Sequence, residues 1–141
     1  MALLNDSVRS EVQKRFKDLK NPVKIINFTQ EIECQYCTET RRLMDEITAL
    51  SDKLSFEVYN FVTDKKEAEK YRIDKIPATV VMGEKDYGIR FYGIPSGYEF
   101  MSILESIVMV SRGESDLSAD TKKKLAAIEK PLHLEVFVTP T

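Results

Sequence analysis

The sequence contains no tryptophan, one histidine and two cysteines among its 141 residues. With two cysteines and one histidine, His133, a zinc or iron–sulfur site built from the Cys and His residues of this chain alone would fall short of the usual four ligands. No segment reaches the about eighteen successive apolar residues of a membrane-spanning helix. The formal net charge of −2 gives no sign of a basic nucleic-acid surface. These absences argue against membrane, nucleic-acid and single-chain metal functions.

The composition is that of a folded protein. Hydrophobic residues make up 43% of the chain and charged residues 31%, with five glycines and five prolines, which argues against disorder. The length predicts one domain with an appendage. The N-terminus, residues 1–6, is too short and too acidic for a secretory signal, so we expect a cytosolic protein. The charged fraction and the few Asn and Gln residues hint at a thermophilic source.

The two cysteines form the motif Cys34-Gln35-Tyr36-Cys37, between an apolar run and a helix-forming stretch. On the first turn of a helix, this spacing places both sulfurs on one face, close enough for a disulfide. The helix N-terminus also stabilises a thiolate. In a reducing cytosol such a pair is more often catalytic, redox-sensing or metal-binding than structural. We therefore predict a redox site. The alternatives are an inert disulfide and a metal site shared by two chains.

Hydrophobic periodicity predicts alternating helices and strands in the order αβαβαββα. The predicted strands cover residues 23–29, 54–61, 78–82 and 87–92, the last two forming an antiparallel hairpin. Helix starts are predicted at the cap residues Asp6, Asp64, Ser96 and Ser118. Gly113 is expected to end the helix that Ser96 begins.

The end of the chain repeats its beginning. Residues 130–137 match residues 21–28, each with a Pro followed by an apolar run. We therefore predict a domain over residues 1–113. Residues 114–141 are expected to form a linking helix, with Leu125 and Ile128 on its inner side, and the first strand, residues 132–138, of an incomplete second unit. An exposed strand edge there would allow a homodimer.

A strand, a CxxC at a helix start and Ile76-Pro77 ahead of a β-hairpin form the pattern of the thioredoxin fold. Residues 22–112 resemble thioredoxin-like oxidoreductases. Residues 71–79, 86–90 and 93–97 are similar to the N-terminal unit of the glutaredoxin-like protein disulfide oxidoreductases of thermophiles, which join two thioredoxin folds. The resemblance implies an α/β fold with a mixed central sheet and helices on both faces.

The resemblance also implies roles for four residues. Cys34 would be the exposed nucleophile and Cys37 the more buried resolving thiol. Pro77 would be the family's cis-proline facing the disulfide, which leaves the backbone of Ile76 free to pair with an extended substrate. From its place between the two cysteines, and not from the resemblance, we expect Tyr36 to shield the sulfurs and to contact substrate.

Two departures from the family pattern concern proton handling and charge. The buried acid usual beneath the active site of thioredoxins is replaced by Asn27 or Phe28. The carboxylates Glu31, Glu33 and Glu39 surround the cysteine pair in sequence. Because nearby carboxylates oppose a thiolate, we expect a less acidic Cys34 and a more reducing couple than in strongly oxidising relatives.

The predicted activity is thiol–disulfide exchange on protein or peptide substrates without a bound cofactor. A thioredoxin-reductase-like or glutathione system would recycle the cysteine pair. Two alternatives stay open. The chain could be a non-catalytic binding module that holds a partner beside Pro77, or a truncated fragment of a two-unit protein.

Overall fold

The computed structural model describes residues 2–139. Its elements, in chain order, are α1 (Asp6–Phe16), β1 (Val23–Thr29), α2 (Cys37–Thr48), β2 (Leu54–Asn60), α3 (Lys65–Lys70), β3 (Ala78–Met82), β4 (Ile89–Tyr92), α4 (Tyr98–Arg112) and α5 (Ala119–Ala126). The order αβαβαββα predicted for the first eight elements is confirmed.

The four strands form one mixed sheet in the order β2-β1-β3-β4. The central strand β1 pairs in parallel with β2 and antiparallel with β3, and β3 pairs antiparallel with β4. A parallel pair needs a crossover connection, which α2 supplies between β1 and β2. The predicted α/β class with a mixed sheet is thus confirmed, and so is the predicted hairpin.

The sheet has an apolar core on each face. Side chains alternate along β1, so Val23 and Ile25 enter one core and Ile26 and Phe28 the other. The larger core contains buried apolar residues of α1, α2 and α4, and the smaller one contains Ala68 of α3. Helices therefore cover both faces of the sheet, as predicted.

The predicted helix starts are partly confirmed. Ser118 caps α5, because its side chain accepts a hydrogen bond from the amide of Thr121. At α1 the cap is Asn5, whose side chain accepts from the amide of Val8, and not Asp6. Before α4 the chain turns through Gly97 at φ 59°, so the predicted Ser96 cap is wrong.

Two predictions remain, one for the start of α3 and one for the end of α4. The predicted cap residue Asp64 does precede α3, but its carboxylate accepts from the amide of Asn60 and caps no helix amide. Gly113 ends α4 in the left-handed conformation, at φ 72°, as predicted.

The C-terminal segment differs from its prediction. Residues 131–139 have no regular secondary structure, so the strand predicted over residues 132–138 is not formed in this single chain. Leu134 and Val136 are each 85% exposed. Leu125 of α5 is 49% exposed, and Ile128, which lies beyond the end of α5 at Ala126, is 45% exposed. The predicted inner side of this helix therefore has no core to face. A pattern of apolar residues predicts a strand or a helix face but does not supply its partner.

Within residues 2–139, no helix combines the length and the apolar character that crossing a membrane requires.

Candidate active site at the Cys34–Cys37 disulfide

The cysteine pair lies at the carboxyl end of the central strand. Strand β1 ends at Thr29, and a loop leads through Cys34 to α2, which begins at Cys37. Both cysteines were expected on the first helical turn, but Cys34 lies in the preceding loop. The carbonyl oxygen of Tyr36 starts the helix by accepting from the amide and the hydroxyl of Thr40, at 3.0 and 2.6 Å. The helix N-terminus therefore lies directly at the sulfurs.

Cys34 and Cys37 form a disulfide with an S–S distance of 1.99 Å and a Cα–Cα distance of 5.5 Å. The two residues differ in exposure, because Cys34 is partly exposed whereas Cys37 is fully buried. This asymmetry gives an attacking partner access to Cys34 alone. Tyr36, between them, is 49% exposed.

The predicted cis peptide bond between Ile76 and Pro77 is present. Pro77 is buried, and its carbonyl oxygen accepts a hydrogen bond of 2.9 Å from the amide of Gly93. Ala78, the next residue, pairs with Phe28 near the end of β1. The cis proline therefore lies at the same edge of the sheet as the loop that holds Cys34.

The backbone of Ile76 has no role in the sheet. It precedes β3, and neither its N–H nor its C=O bonds to any residue of the described range 2–139. The side chain is partly exposed. Both backbone groups are thus available to an extended peptide, as β-augmentation requires.

The alternation of β1 places Asn27 and Phe28 on opposite faces of the sheet. Phe28 belongs to the core on the α3 side of the sheet, whereas Asn27 shares the face of Ile25, which is covered by α2 and α4. Asn27 is fully buried, and its side-chain amide donates to the carbonyl oxygen of Ala78 at 3.1 Å. The buried polar side chain of β1 on the face covered by α2 and α4 is therefore uncharged.

Charged side chains surround the cysteine loop at its surface. Glu31, Glu33 and Glu39 are exposed, and Glu33 adopts a left-handed backbone at φ 57° directly before Cys34. A polar cleft of about 580 Å³ lies beside the loop, at the carboxyl ends of β1 and β2, and includes Thr38 and Arg41 in its lining.

The described residues contain no group of three or more His, Cys, Asp or Glu side chains that could hold a metal ion. His133 lies in the exposed C-terminal segment, where its Nε2 is 2.8 Å from a carboxylate oxygen of Glu135.

Thr79 was not among the candidate site residues predicted from the sequence. It lies opposite Asn27 on β3 and is also fully buried. A polar residue in an otherwise apolar strand, Ala78–Met82, was the available signal.

Comparison with known proteins agrees with this geometry. Residues 23–105 match the family model described as "Thioredoxin domain". A protein disulfide oxidoreductase from Aeropyrum pernix K1 superposes with a TM-score of 0.78 at 26% identity, covering 89% of this chain and 56% of that one. The NTD_N/C domain of the alkylhydroperoxide reductase AhpF from Enterococcus faecalis gives a TM-score of 0.79 at 26% identity, covering 90% and 62%.

A curated relative from Pseudomonas aeruginosa, the AhpF component of its alkyl hydroperoxide reductase, is 24% identical over 137 residues. That alignment covers 96% of this chain but 24% of the relative, so the chain spans about a quarter of the relative's length. The matched family model, the fold and the cysteine pair agree. The chain belongs to the thioredoxin domain family.

Proposed function

We propose that this chain catalyses thiol–disulfide exchange on protein or peptide disulfides, with Cys34 as the attacking sulfur and Cys37 as the resolving sulfur. The observation that carries the proposal is the disulfide between a partly exposed and a fully buried cysteine at a helix N-terminus. The similarity to a protein disulfide oxidoreductase supports the same reaction class.

In the proposed reaction, the Cys34 thiolate attacks one sulfur of a substrate disulfide and releases the other as a thiolate. The resulting mixed disulfide is then attacked by Cys37, which forms the Cys34–Cys37 bond and releases the second substrate sulfur. The substrate gains two electrons and two protons, and the enzyme loses them. The reverse direction would oxidise a substrate dithiol. No bound cofactor is needed for either direction.

The substrate would dock as an extended segment against Ile76. The free backbone groups of this residue, next to a buried cis proline, support pairing with one strand-like peptide. The exposed ring of Tyr36 would cover the substrate from the other side of the cysteines.

The exchange is tested with a quenched fluorescent peptide disulfide under single-turnover conditions. Cys34→Ser should abolish reduction of the peptide. Cys37→Ser, the same chemical change at the buried position, should still attack but stop at a mixed disulfide visible by mass spectrometry. If Cys34→Ser binds the peptide as the unchanged protein does, and the unchanged protein does not reduce it, the non-catalytic binding-module alternative is correct.

A second candidate function follows from the two alkyl hydroperoxide reductase matches. As a unit of a longer protein or as a separate chain, this domain would pass electrons to a disulfide in a peroxide-reducing system. A thioredoxin-reductase-like or glutathione system would recycle it. Coupled assays with NADPH and each recycling system in turn would identify the donor. The cytosolic location, the thermophilic source and the glutaredoxin-like subgroup stay predictions from the sequence.

We also propose that residues 114–141 form the linking helix and first strand of a second unit when a neighbouring strand, absent from the single chain, is supplied to pair with residues 132–138. Residues 132–136 alternate in polarity, as a strand does, while Leu134 and Val136 lie largely exposed. A second copy of the chain would cover this segment if no further unit does. Light scattering should therefore show a dimer, and Leu134→Lys combined with Val136→Lys should give a monomer. His133→Asn with Glu135→Gln, which leaves the apolar side intact, is the control.

A further inference from the structure

Two buried polar side chains face each other across the centre of the sheet. Asn27 and Thr79 are directly paired in the antiparallel ladder of β1 and β3, and both are fully buried. The next pair on the same face is Ile25 with Val81, which belongs to the core formed with α2 and α4. Asn27 and Thr79 therefore lie beneath these two helices.

Helix α2 places Cys37 above this pair. Because α2 connects β1 to the parallel strand β2, it runs back along β1, and its first residue lies over the carboxyl end of that strand. Met44 and Ile47, farther along α2, share a core with Val23 and Ile25 at the other end of β1. Asn27, two residues before the end of β1, thus lies on the level of Cys37.

Both side chains have an atom that lacks a partner in the disulfide form. Of the buried side-chain atoms in residues 2–139, Asn27 Oδ1 and Thr79 Oγ1 are two that make no hydrogen bond. The Asn27 amide nitrogen donates to Ala78, so its oxygen must be the free acceptor. Buried polar atoms without a partner are destabilising and uncommon in native folds. A partner that exists in only one redox state would account for them.

The reduced form supplies such a partner. A disulfide sulfur has no hydrogen to donate, whereas reduced Cys37 has an S–H donor, and its thiolate is an acceptor. The buried polar side chains of the described residues are all uncharged, namely Asn27, Thr40, Thr48, Thr79, Ser106 and Ser111. The ionisable side chains of the cysteine loop and of the first two turns of α2 and α4 are exposed, namely Glu31, Glu33, Tyr36, Glu39, Arg41, Arg42, Tyr98 and Glu99.

We propose that Asn27 and Thr79 are positioning residues for Cys37 in the exchange reaction proposed above, on which this inference rests. Asn27 Oδ1 accepts a hydrogen bond from the reduced Cys37 thiol, and the Thr79 hydroxyl donates one to the Cys37 thiolate as it attacks, directly or through one buried water. In that step the Cys37 S–H bond breaks and the Cys34–Cys37 bond forms. The bond between Cys34 and the substrate breaks, and the departing sulfur takes the proton.

The test separates the two sulfurs kinetically. Reduced protein is mixed with one equivalent of dithiobis(nitrobenzoate), and release of thionitrobenzoate is followed by stopped flow. The first release reports attack by Cys34, and the second reports resolution by Cys37. In Thr79→Val the second phase should slow about tenfold or more, the loss expected for a hydrogen bond to a charged group, while the first phase is unchanged. Thr79→Ser, which keeps the hydroxyl, should restore it.

Thr48→Val is the matched control. Thr48 lies in α2 and is buried, as Thr79 is in β3, but its hydroxyl already donates to the carbonyl oxygen of Met44. Its second phase should equal that of the unchanged protein. A merely structural role for Thr79 predicts a different result: removal of an unpartnered hydroxyl would leave both phases unchanged and keep or raise the urea midpoint.

Asn27→Asp tests the acceptor. A buried carboxylate in place of the amide should add an ionisation to the pH dependence of the second phase. An unchanged second phase in Thr79→Val, or an unchanged pH profile in Asn27→Asp, would overturn the inference while leaving the proposed exchange intact. Absence of the first phase in the unchanged protein would instead overturn the proposed function itself.

Discussion

The side-chain amide of Asn27 donates a hydrogen bond of 3.1 Å to the carbonyl oxygen of Ala78. This bond joins the strand that leads to the cysteine loop to the residue that follows the cis proline. A buried side chain therefore adds to the backbone ladder between β1 and β3 in joining the two halves of the candidate active site.

Asn27→Ala should lower the free energy of unfolding by about 1–3 kcal/mol, with a further loss from the void it leaves. The physical reason is that the carbonyl oxygen of Ala78 would lose its side-chain partner in the core. Urea denaturation measures the change. A loss below about 0.5 kcal/mol, which is within the range of surface substitutions, would show that the bond contributes little.

Ser111, in the last turn of α4, holds the segment that leads into β1. Its Oγ accepts from the amides of Lys20 and Asn21, at 2.8 and 3.1 Å, and donates to the carbonyl oxygen of Asn21 at 2.8 Å. Ser111→Ala should lower the free energy of unfolding by about 1–3 kcal/mol, because it removes three bonds at a fully buried side chain.

Ser106→Ala is the matched control in the same helix. The Ser106 hydroxyl bonds only to the carbonyl oxygen of Ser102, one turn earlier, and alanine is the better helix former. The two variants should therefore differ clearly in thermal unfolding. Equal midpoints would contradict the role given to Ser111.

Local signals predicted the strands well and the contacts between distant segments poorly. The bounds of β1 and β3 follow from short apolar runs that end at turn residues, so they could be predicted. The Ser111 contacts could not, because they join residues 90 positions apart and a serine near a helix end has many possible partners. Ser96 has the chemistry of a cap, but the backbone turns at Gly97 instead.

The same limit applied to the candidate site. The CxxC motif and the residue pair Ile76-Pro77 have distinctive spacing, so both were identified from the sequence. The burial of Thr79 and its pairing with Asn27 depend on the register between β1 and β3, which no local pattern specifies. The exposed apolar residues of the C-terminal segment predict a strand, but a strand needs a neighbour to pair with.

Glu46 links α2 to the N-terminal segment, and its carboxylate should make the free energy of unfolding depend on pH. Hydrogen bonds from the amides of Leu3 and Leu4 lower the pKa of its carboxyl below the ordinary value of 4.5, and Arg9 adds to the effect. Because the folded-state pKa lies below the unfolded one, the stabilisation is complete above pH 4.5 and is lost as the pH falls through the folded-state pKa.

Glu46→Gln should therefore destabilise the protein by about 1–2 kcal/mol at neutral pH, with the difference vanishing in acid. Thermal unfolding across this pH range measures it. Glu11→Gln, at an exposed position 3.8 Å from Arg15, is the control and should have little effect at any pH. A pH-independent loss in Glu46→Gln would contradict the role of its charge.

The exposed carboxylates of the cysteine loop should lower the reactivity of the reduced Cys34 thiol. Glu31→Gln combined with Glu33→Gln should speed the alkylation of reduced Cys34 below neutral pH severalfold, because two nearby negative charges that oppose a thiolate are removed. Iodoacetamide labelling of the Cys37→Ser protein measures the rate. The difference should disappear at about 1 M salt, where charges are screened within about 3 Å. A difference that persists in salt would point to a structural cause.

The central claim is that Cys34 and Cys37 form a redox-active pair, and its most direct test is the reduction potential of that pair. The protein is equilibrated in graded glutathione buffers, and its free thiols are trapped and counted. We predict a value between about −120 and −270 mV, the span of exchange catalysts. A value below about −300 mV, or no exchange with glutathione, would identify a structural disulfide and contradict the proposed activity.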